Sequence, residues 1–372
     1  MKKILHLNAY YIDNPMYSTM FQALDAKYSQ EAYIPIKWDR EPKFDIKLND
    51  GHVKFSQIIK PIHKFLYFNK VSTLYNDVVK KYDIDNFDII HAHSIFADGG
   101  VAYKLHKKFN KEYVITVRMT DIALQYKKMI HRRSFANKVL LNAKKIIFVS
   151  DIYRDELYSY VPKDIVRKLN DKTIILPNGV NDIYLQQTPN ITQLKNDESL
   201  KLLHIGRFVQ YKNLDTVIEA VKSLKATMNI ELTIIGGESN SEVDYSQKVI
   251  NSIDGVDFIK RITETYDKSV LIDLFSKNHM FICPSTNELF GVVFIEAMSQ
   301  NTPFIYGVKN GVEPFVKGND FCEKVDGLDI ESIKNGILNL KKRYDQIKPF
   351  GYRAKEFAWD KIITTLSNIY NE

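Results

Sequence analysis

His279-Met-Phe-Ile-Cys-Pro-Ser-Thr-Asn-Glu-Leu-Phe-Gly-Val-Val-Phe-Ile-Glu-Ala-Met-Ser-Gln-Asn-Thr-Pro303 holds the decisive change of pattern in this chain. An apolar run, Met280 to Cys283, is broken at Pro284 to Asn287, and a helical pattern then continues to Asn301 and stops before Pro303. Strand, loop and helix follow. The spacing predicts a helix from near Phe290, with its free backbone N–H groups and the positive end of its dipole facing the loop. Such a place binds phosphate. Glu288 stands before that helix and Glu296 about two turns inside it, with seven residues between them. Acids beside an anion site serve another purpose: when ionised they accept hydrogen bonds from hydroxyls.

The same grammar recurs upstream. Leu202-Leu-His-Ile-Gly206-Arg207-Phe-Val-Gln-Tyr-Lys212-Asn-Leu214 reads as a strand, a tight loop and a helix to Leu224. Gly206 permits a close backbone turn, and Arg207 and Lys212 put two cations beside it. Paired cations opposite a helix N-terminus would hold an anion from two sides. Short apolar strands repeat at Ile4–Leu7, Asp88–His93, Val114–Arg118, Lys145–Ser150, Thr173–Leu176, Leu232–Gly237 and Val256–Ile262. Strands alternating with helices imply parallel sheets covered on both faces, with ligands at the carboxyl ends of the strands. The polar, patternless stretch 186–199 is expected to link two domains, 1–185 and 200–355, with a last helix over 356–372.

Residues Glu288 to Met298 resemble the E-x-F-G-x4-E-A signature of the retaining GT-B glycosyltransferases of family 4. Gly206-Arg207 with Lys212 is similar to that family's G-R-x4-K, and Asn310-Gly-Val-Glu313 to its G-G-x-x-E loop. Asp88-Ile-Ile-His91-Ala-His93 resembles its D-apolar-apolar-H-x-H strand, and Pro177-Asn-Gly-Val-Asn181 its P-N-G-V-D turn. The resemblance implies an α/β protein of GT-B architecture, two Rossmann-like domains facing a cleft, with the final helix crossing back to the first. It implies a nucleoside-diphosphate sugar as donor substrate, no cofactor and no metal. Arg207, Lys212, Gly206 and the backbone of Phe290, Gly291 and Val292 would hold the diphosphate. Glu288 would orient the sugar and Glu296 the ribose. Arg261 lies beside Lys260, which stands where the family commonly has glycine in a loop framing the base.

Departures from the pattern matter in the first half. Where the family often reads T-x-H-G-x-D, this chain has Thr116-Val-Arg118-Met119-Thr-Asp121. Arginine donates a rigid fork of hydrogen bonds and cannot serve as a general base, so Arg118 would hold a donor phosphate or an acidic acceptor, or else form a local salt bridge with Asp121, and the resemblance makes His93 a candidate at the cleft. In the first loop Tyr17-Ser-Thr-Met20 replaces a glycine pair. Asn301 replaces the usual helix-ending glycine, a mild change because asparagine tolerates the left-handed cap. His91 and His93 share a strand face, but with no third ligand evident nearby a metal is not expected.

Charge is uneven. Residues 1–182 hold 30 Lys+Arg against 20 Asp+Glu, a balance of +10, whereas the remainder balances at −3. Residues 101–150 alone carry 12 basic and 2 acidic side chains, centred on Lys127-Lys-Met-Ile-His-Arg-Arg133. An anionic partner for that half is expected. Lys54 to Lys70 interleaves lysines with aromatic and aliphatic residues, a composition suited to a membrane interface, either as such or as a packed helix with snorkelling lysines. No apolar run reaches the roughly 18 residues of a membrane span, and Asn8 and Asp13 cut short the apolar start at Lys2–Leu7, which reads as a strand rather than a leader. Two cysteines, Cys283 and Cys322, make neither a disulfide framework nor a thiolate zinc site.

The function expected is transfer of a sugar to a glycan or lipid-linked acceptor in bacterial surface-polysaccharide or glycoconjugate synthesis. The expected setting is the cytoplasm or the inner face of the plasma membrane, with peripheral contact to anionic lipid and no nucleic-acid partner. The alternatives are a GT-B protein of other activity, such as a sugar-nucleotide epimerase or a phosphorylase, and a non-enzymatic polyanion- or membrane-binding protein.

Overall fold

In the computed structural model, which describes residues 1–11, 16–40, 51–195 and 198–372, the chain forms two compact units. Met1–Pro177 together with Trp359–Glu372 makes the first, and Asn178–Ala358 the second.

The first unit is built on strands β1 (Lys3–Leu7), β2 (Ser29–Lys37), β3 (Gly51–Ile59), β4 (Ile89–Ala92), β5 (Tyr113–Thr116), β6 (Lys145–Phe148) and β7 (Thr173–Ile175). They lie in the order β3-β2-β1-β4-β5-β6-β7, and every neighbouring pair is parallel. The second unit repeats the plan with β8 (Leu200–Ile205), β9 (Ile230–Ile235), β10 (Ile259–Ile262), β11 (Met280–Cys283), β12 (Phe304–Gly307) and β13 (Cys322–Val325). Their order is β10-β9-β8-β11-β12-β13, again all parallel. Both are Rossmann-like. Central strands such as β4, β5, β11 and β12 are buried at every residue, so each reads as a continuous apolar run without alternation.

Several elements differ from their expected places. The segment Lys54–Lys70 is no single helix: its first part is strand β3, a 3-10 turn follows at Pro61–Lys64, and only Tyr67–Lys81 is α-helical. Pro61 supplies the break, since it brings no N–H to a helix interior. Tyr17–Met20 is not loop but the first turns of a helix over Met16–Asp25 that buries Tyr17, Met20, Phe21 and Leu24. Of the loop expected over Asn8–Ser18, residues 12–15, Asp13 among them, lie outside the described residues. Lys260 and Arg261 belong to strand β10, inside the strand expected over Val256–Ile262, and not to the base-framing loop that the resemblance implied.

The linker is also different. Residues Asn178–Leu185 belong to the second unit, where Tyr184 is fully buried and its carbonyl accepts a hydrogen bond from Gln300 Nε2 at 3.0 Å. Of 186–199, residues 196–197 lie outside the described residues, and the others are tied down on the second unit. Thr192 Oγ1 donates to Ser276 O at 2.7 Å, Tyr344 OH to Thr192 O at 2.8 Å and Asn301 Nδ2 to Pro189 O at 2.6 Å. A polar composition here reflects backbone bonding along a domain surface, which periodicity cannot distinguish from a free tether. Among the described residues no helix is long and apolar enough to cross a membrane.

The last helix, Trp359–Asn371, returns to the first unit. Trp359, Ile362, Ile363, Leu366 and Ile369 enter the same core as Phe21 and Leu24, and Tyr370 OH bonds His91 Nδ1 at 2.6 Å. Leu366, 2% exposed, therefore fills space that its neighbours cannot close. Leu366→Ala is expected to lower stability by about 2–5 kcal/mol in urea unfolding; a loss within about 0.5 kcal/mol, the range of surface changes, would show that the helix lies outside the first core.

Candidate functional site

Two groups of side chains gather at the carboxyl ends of the strands, one in each unit. In the second unit the loops after β8 and β11 are sewn together. Asn213, held at φ +54°, donates from Nδ2 to Pro284 O at 2.8 Å, and Thr286 N donates to Tyr211 O at 2.8 Å. This stitching brings Lys212 Nζ onto the Glu288 carboxylate in a close ion pair. Burial opposes the lysine's charge, but Cys283 and Glu288 beside it outweigh that effect and raise its pKa above the ordinary value. Arg207, by contrast, is exposed and forms no ion pair among the described residues.

Helix Val292–Ser299 starts two residues later than expected because Gly291 sits at φ +69°, a conformation outside the helix. An L side chain would be strained there, and an added Cβ would come within 2.6 Å of the Phe294 ring. Phe290 offers only its backbone, since its ring is buried against Phe315 and Phe357. The loop is backed by Gly311, whose N–H donates to Glu288 O at 2.8 Å and whose missing Cβ would lie 1.9 Å from Leu289 O. Gly206 has no such constraint: an added Cβ would meet only ordinary contacts, and the tight approach belongs to Gly236, whose Cβ would lie 2.0 Å from Gly206 O. Glu296 projects from the second turn of the helix, and burial raises its pKa to about 7 against the opposing pull of Lys268 and Tyr184. Arg261 lies over the Phe208 ring at 5.0 Å and pairs with Glu238 at 3.1 Å.

In the first unit the structure brings His93, Arg118 and Asp121 together. Asp121 Oδ2 accepts from the backbone N–H groups of Ile95 at 3.0 Å and Arg118 at 2.9 Å, so the two residues meet through the main chain and not through a guanidinium salt bridge. Asp121 Oδ1 is buried, with no hydrogen-bond partner among the described residues. The Arg118 guanidinium lies over the Tyr17 ring at 4.9 Å and donates from Nε to His93 O at 3.3 Å. Asp98, not singled out from the sequence, joins them: it accepts from Ala9 N at 3.1 Å and from Ser94 Oγ at 2.9 Å. Its place in the first turn of helix Ala97–Phe109 marks it in the sequence only as a helix-starting acid. Burial raises Asp98 to about 7 and Asp121 to about 6.

His93 does not stand at an open surface. Its ring is fully buried, stacked on His91 at 4.1 Å and edge-on to Tyr17 at 5.3 Å, and only its carbonyl reaches Arg118. A third histidine, absent from the sequence-level pair, is supplied by β1. His6 is the register partner of His91, and its Nδ1 faces His93 Nε2 at 3.1 Å. One ring nitrogen from each of the three lies within 4.8 Å of the others. His91 already bonds Tyr370 OH through Nδ1 at 2.6 Å and Thr116 Oγ1 through Nε2 at 2.8 Å, whereas His93 Nδ1 is buried with no hydrogen-bond partner among the described residues. Burial holds His6 down at about 3 and the other two well below the usual imidazole range, so all three are neutral at physiological pH.

Comparison with known proteins agrees with this architecture. The family model described as "Glycosyltransferase Family 4" matches residues 37–182, and that described as "Glycosyl transferases group 1" matches residues 188–357. An uncharacterized glycosyltransferase of Methanocaldococcus jannaschii is 26% identical over 297 residues, covering 77% of this chain and 76% of its own length. D-inositol 3-phosphate glycosyltransferase of Corynebacterium aurimucosum is 24% identical over 318 residues, 78% of this chain and 72% of its own. Among solved structures, Anabaena HepE in complex with UDP and glucose superposes with a TM-score of 0.73 at 14% identity, over the whole of both chains.

Two consequences can be measured. Glu296, Asp98 and Asp121 keep their protons in the folded state to about 7, 7 and 6, against ordinary values of 4.5, 3.8 and 3.8. Between the two sets of values the folded chain binds more protons than the unfolded one, so stability falls as pH rises from about 4 to about 7. Glu296→Gln removes its share, and its urea midpoint is expected to gain on the parent's from pH 5 to about pH 7 and then level off; parallel pH profiles would refute the raised-acid assignment. Gly311→Ala is expected to displace the Glu288–Phe290 loop and to cost at least about 1 kcal/mol, as overpacking does, with hydrogen exchange rising locally at residues 286–293.

Proposed function

Starting from a chain that belongs to the GT-B glycosyltransferases of family-4 type, we propose that it moves a sugar from a nucleoside-diphosphate sugar to an anionic or lipid-linked glycan acceptor, with retention at the anomeric carbon and without a metal. The observation that carries this reading is the joining of Lys212 to Glu288 ahead of helix Val292–Ser299, with Arg207, in the same loop as Lys212, exposed and without an ion pair among the described residues.

Arg207 and the N–H groups at Gly291 and Val292 take the diphosphate, where charge-assisted bonds and the helix dipole act together. Lys212 turns from Glu288 to the β-phosphate. Glu288, relieved of its ion pair, accepts hydrogen bonds from sugar hydroxyls, and Glu296 accepts from the ribose. Ribose contact favours the ionised carboxylate of Glu296. The C1–O bond to the diphosphate breaks, the bond from C1 to the acceptor oxygen forms on the same face, and the acceptor proton passes to the leaving phosphate oxygen. Such a step needs stabilisation of developing charge more than it needs a protein base, which suits the absence of a histidine at position 118. Support for the donor class comes from the UDP and glucose complex of the similar Anabaena protein. For an anionic acceptor it comes from the +10 balance of residues 1–182, from Arg118, and from the name of the Corynebacterium relative.

Thermal unfolding against UDP, GDP, ADP and TDP, each with and without EDTA, tests the reading. One nucleotide at a hundred times its dissociation constant is expected to add about 2.7 kcal/mol, a shift of roughly 5–11 °C for a domain of this size. The shift is expected to survive EDTA and to vanish in Arg207→Ala. Loss of the shift in EDTA would overturn metal independence, and no shift with any nucleotide would overturn the donor assignment.

A further inference from the structure

Two stretches of the first unit contain no acidic residue, 51–76 and 122–150, and the fold brings them side by side. The Arg132 guanidinium lies over the Tyr67 ring at 4.6 Å, and Phe135 packs edge-on against Tyr67 at 6.1 Å and Phe68 at 5.5 Å. At this junction large apolar side chains face solvent. Ile62 and Leu66 are each 50% exposed, Phe68 52% and Phe65 75%, and Ile130, two residues before Arg132, is 68% exposed. Four of the five fall within one seven-residue run that crosses the 3-10 turn Pro61–Lys64 and enters helix Tyr67–Lys81. Isolated exposed apolar residues are ordinary, but a contiguous group is not.

The charge around the group selects its partner. Lys60, Lys64, Lys127 and Lys128 are all exposed, and none pairs with a carboxylate among the described residues. Elsewhere on the same unit lysines do find acids, as Lys3 and Lys54 do with Glu31 and Lys81 with Asp77. We infer that residues 60–68, flanked by 127–130, form a docking surface for an anionic lipid bilayer. Phe65, Leu66 and Ile62 enter the boundary between headgroups and acyl chains, and the lysines meet the headgroup phosphates. A soluble polyanion would use the lysines and leave Phe65 in water; a bilayer uses both. This surface is independent of the donor grip in the second unit, so its test does not depend on transfer activity.

The test is co-sedimentation of the full chain with vesicles of phosphatidylcholine alone and of phosphatidylcholine with phosphatidylglycerol, at low and high salt. Binding is expected only to the phosphatidylglycerol vesicles and to weaken with salt. Phe65→Ser with Leu66→Ser is expected to reduce the bound fraction roughly tenfold or more, and Lys60→Gln with Lys64→Gln to weaken binding while flattening its salt dependence. Unchanged melting temperatures of both variants exclude misfolding as the cause. Four results would overturn the inference: equal binding to both vesicles, binding to neither, loss only in the lysine variant, or a patch-dependent dimer by light scattering. The third would leave a polyanion site, and the fourth a contact between copies of the chain.

Discussion

All strands within each sheet run in one direction, and the rest of the molecule follows from that constraint. A parallel sheet needs a crossover after each strand, so the carboxyl ends of β1, β4, β5, β6, β8, β9, β10, β11, β12 and β13 open into loops that lead to helices. Those loops collect along one edge of each sheet. In the second unit this puts Arg207 and Lys212 after β8 beside Glu288 after β11, because β8 and β11 are hydrogen-bonded neighbours. In the first unit β1 and β4 are neighbours, which sets His6 against His91 and His93. Residues far apart in sequence become partners through strand order alone.

The two groups differ in electrostatic character. The second unit's group is a partly buried lysine–carboxylate pair, with an exposed arginine, Arg207, that has no ion pair among the described residues. Each charge of the pair compensates the other's loss of water, and an incoming polyanion offers the lysine an alternative partner. The first unit's group is acid-rich and dry, with Asp98 and Asp121 raised to about 7 and about 6 by burial. Groups perturbed to that extent gather at functional sites more often than elsewhere. Here they coincide with a permanent cation, Arg118, lying over an aromatic ring, Tyr17. The two units thus present different chemistry on the same scaffold, a lysine–carboxylate pair ahead of a helix in one and a mixed acid and cation group in the other.

Much of this was legible in the chain itself. The strand Met280–Cys283 is found at the residues expected, since a short apolar run ended by Pro284 can do little else in a covered sheet. Asn301 takes the left-handed cap at φ +52°, and its Oδ1 accepts the N–H groups of Phe350 at 2.7 Å and Gly351 at 2.6 Å, contacts that glycine could not make. Other features were not legible. Asp98 looks like any helix-starting acid until Ala9 and Ser94 are placed on it. Residues 186–195 read as a tether because backbone bonds to a domain surface leave no periodicity.

The sequence by itself determined the succession of strands, loops and helices, and which residues with phosphate- and hydroxyl-binding chemistry stand at the loop ends. Those properties are local: they depend on periods of two and 3.6 residues and on the conformational limits of glycine, asparagine and proline. Tertiary structure decided which of those residues touch. Lys212 and Glu288 are 76 positions apart and His6 and His93 are 87 apart. Whether such residues meet depends on strand order, which is set by packing the whole sheet and has no signature within any one segment.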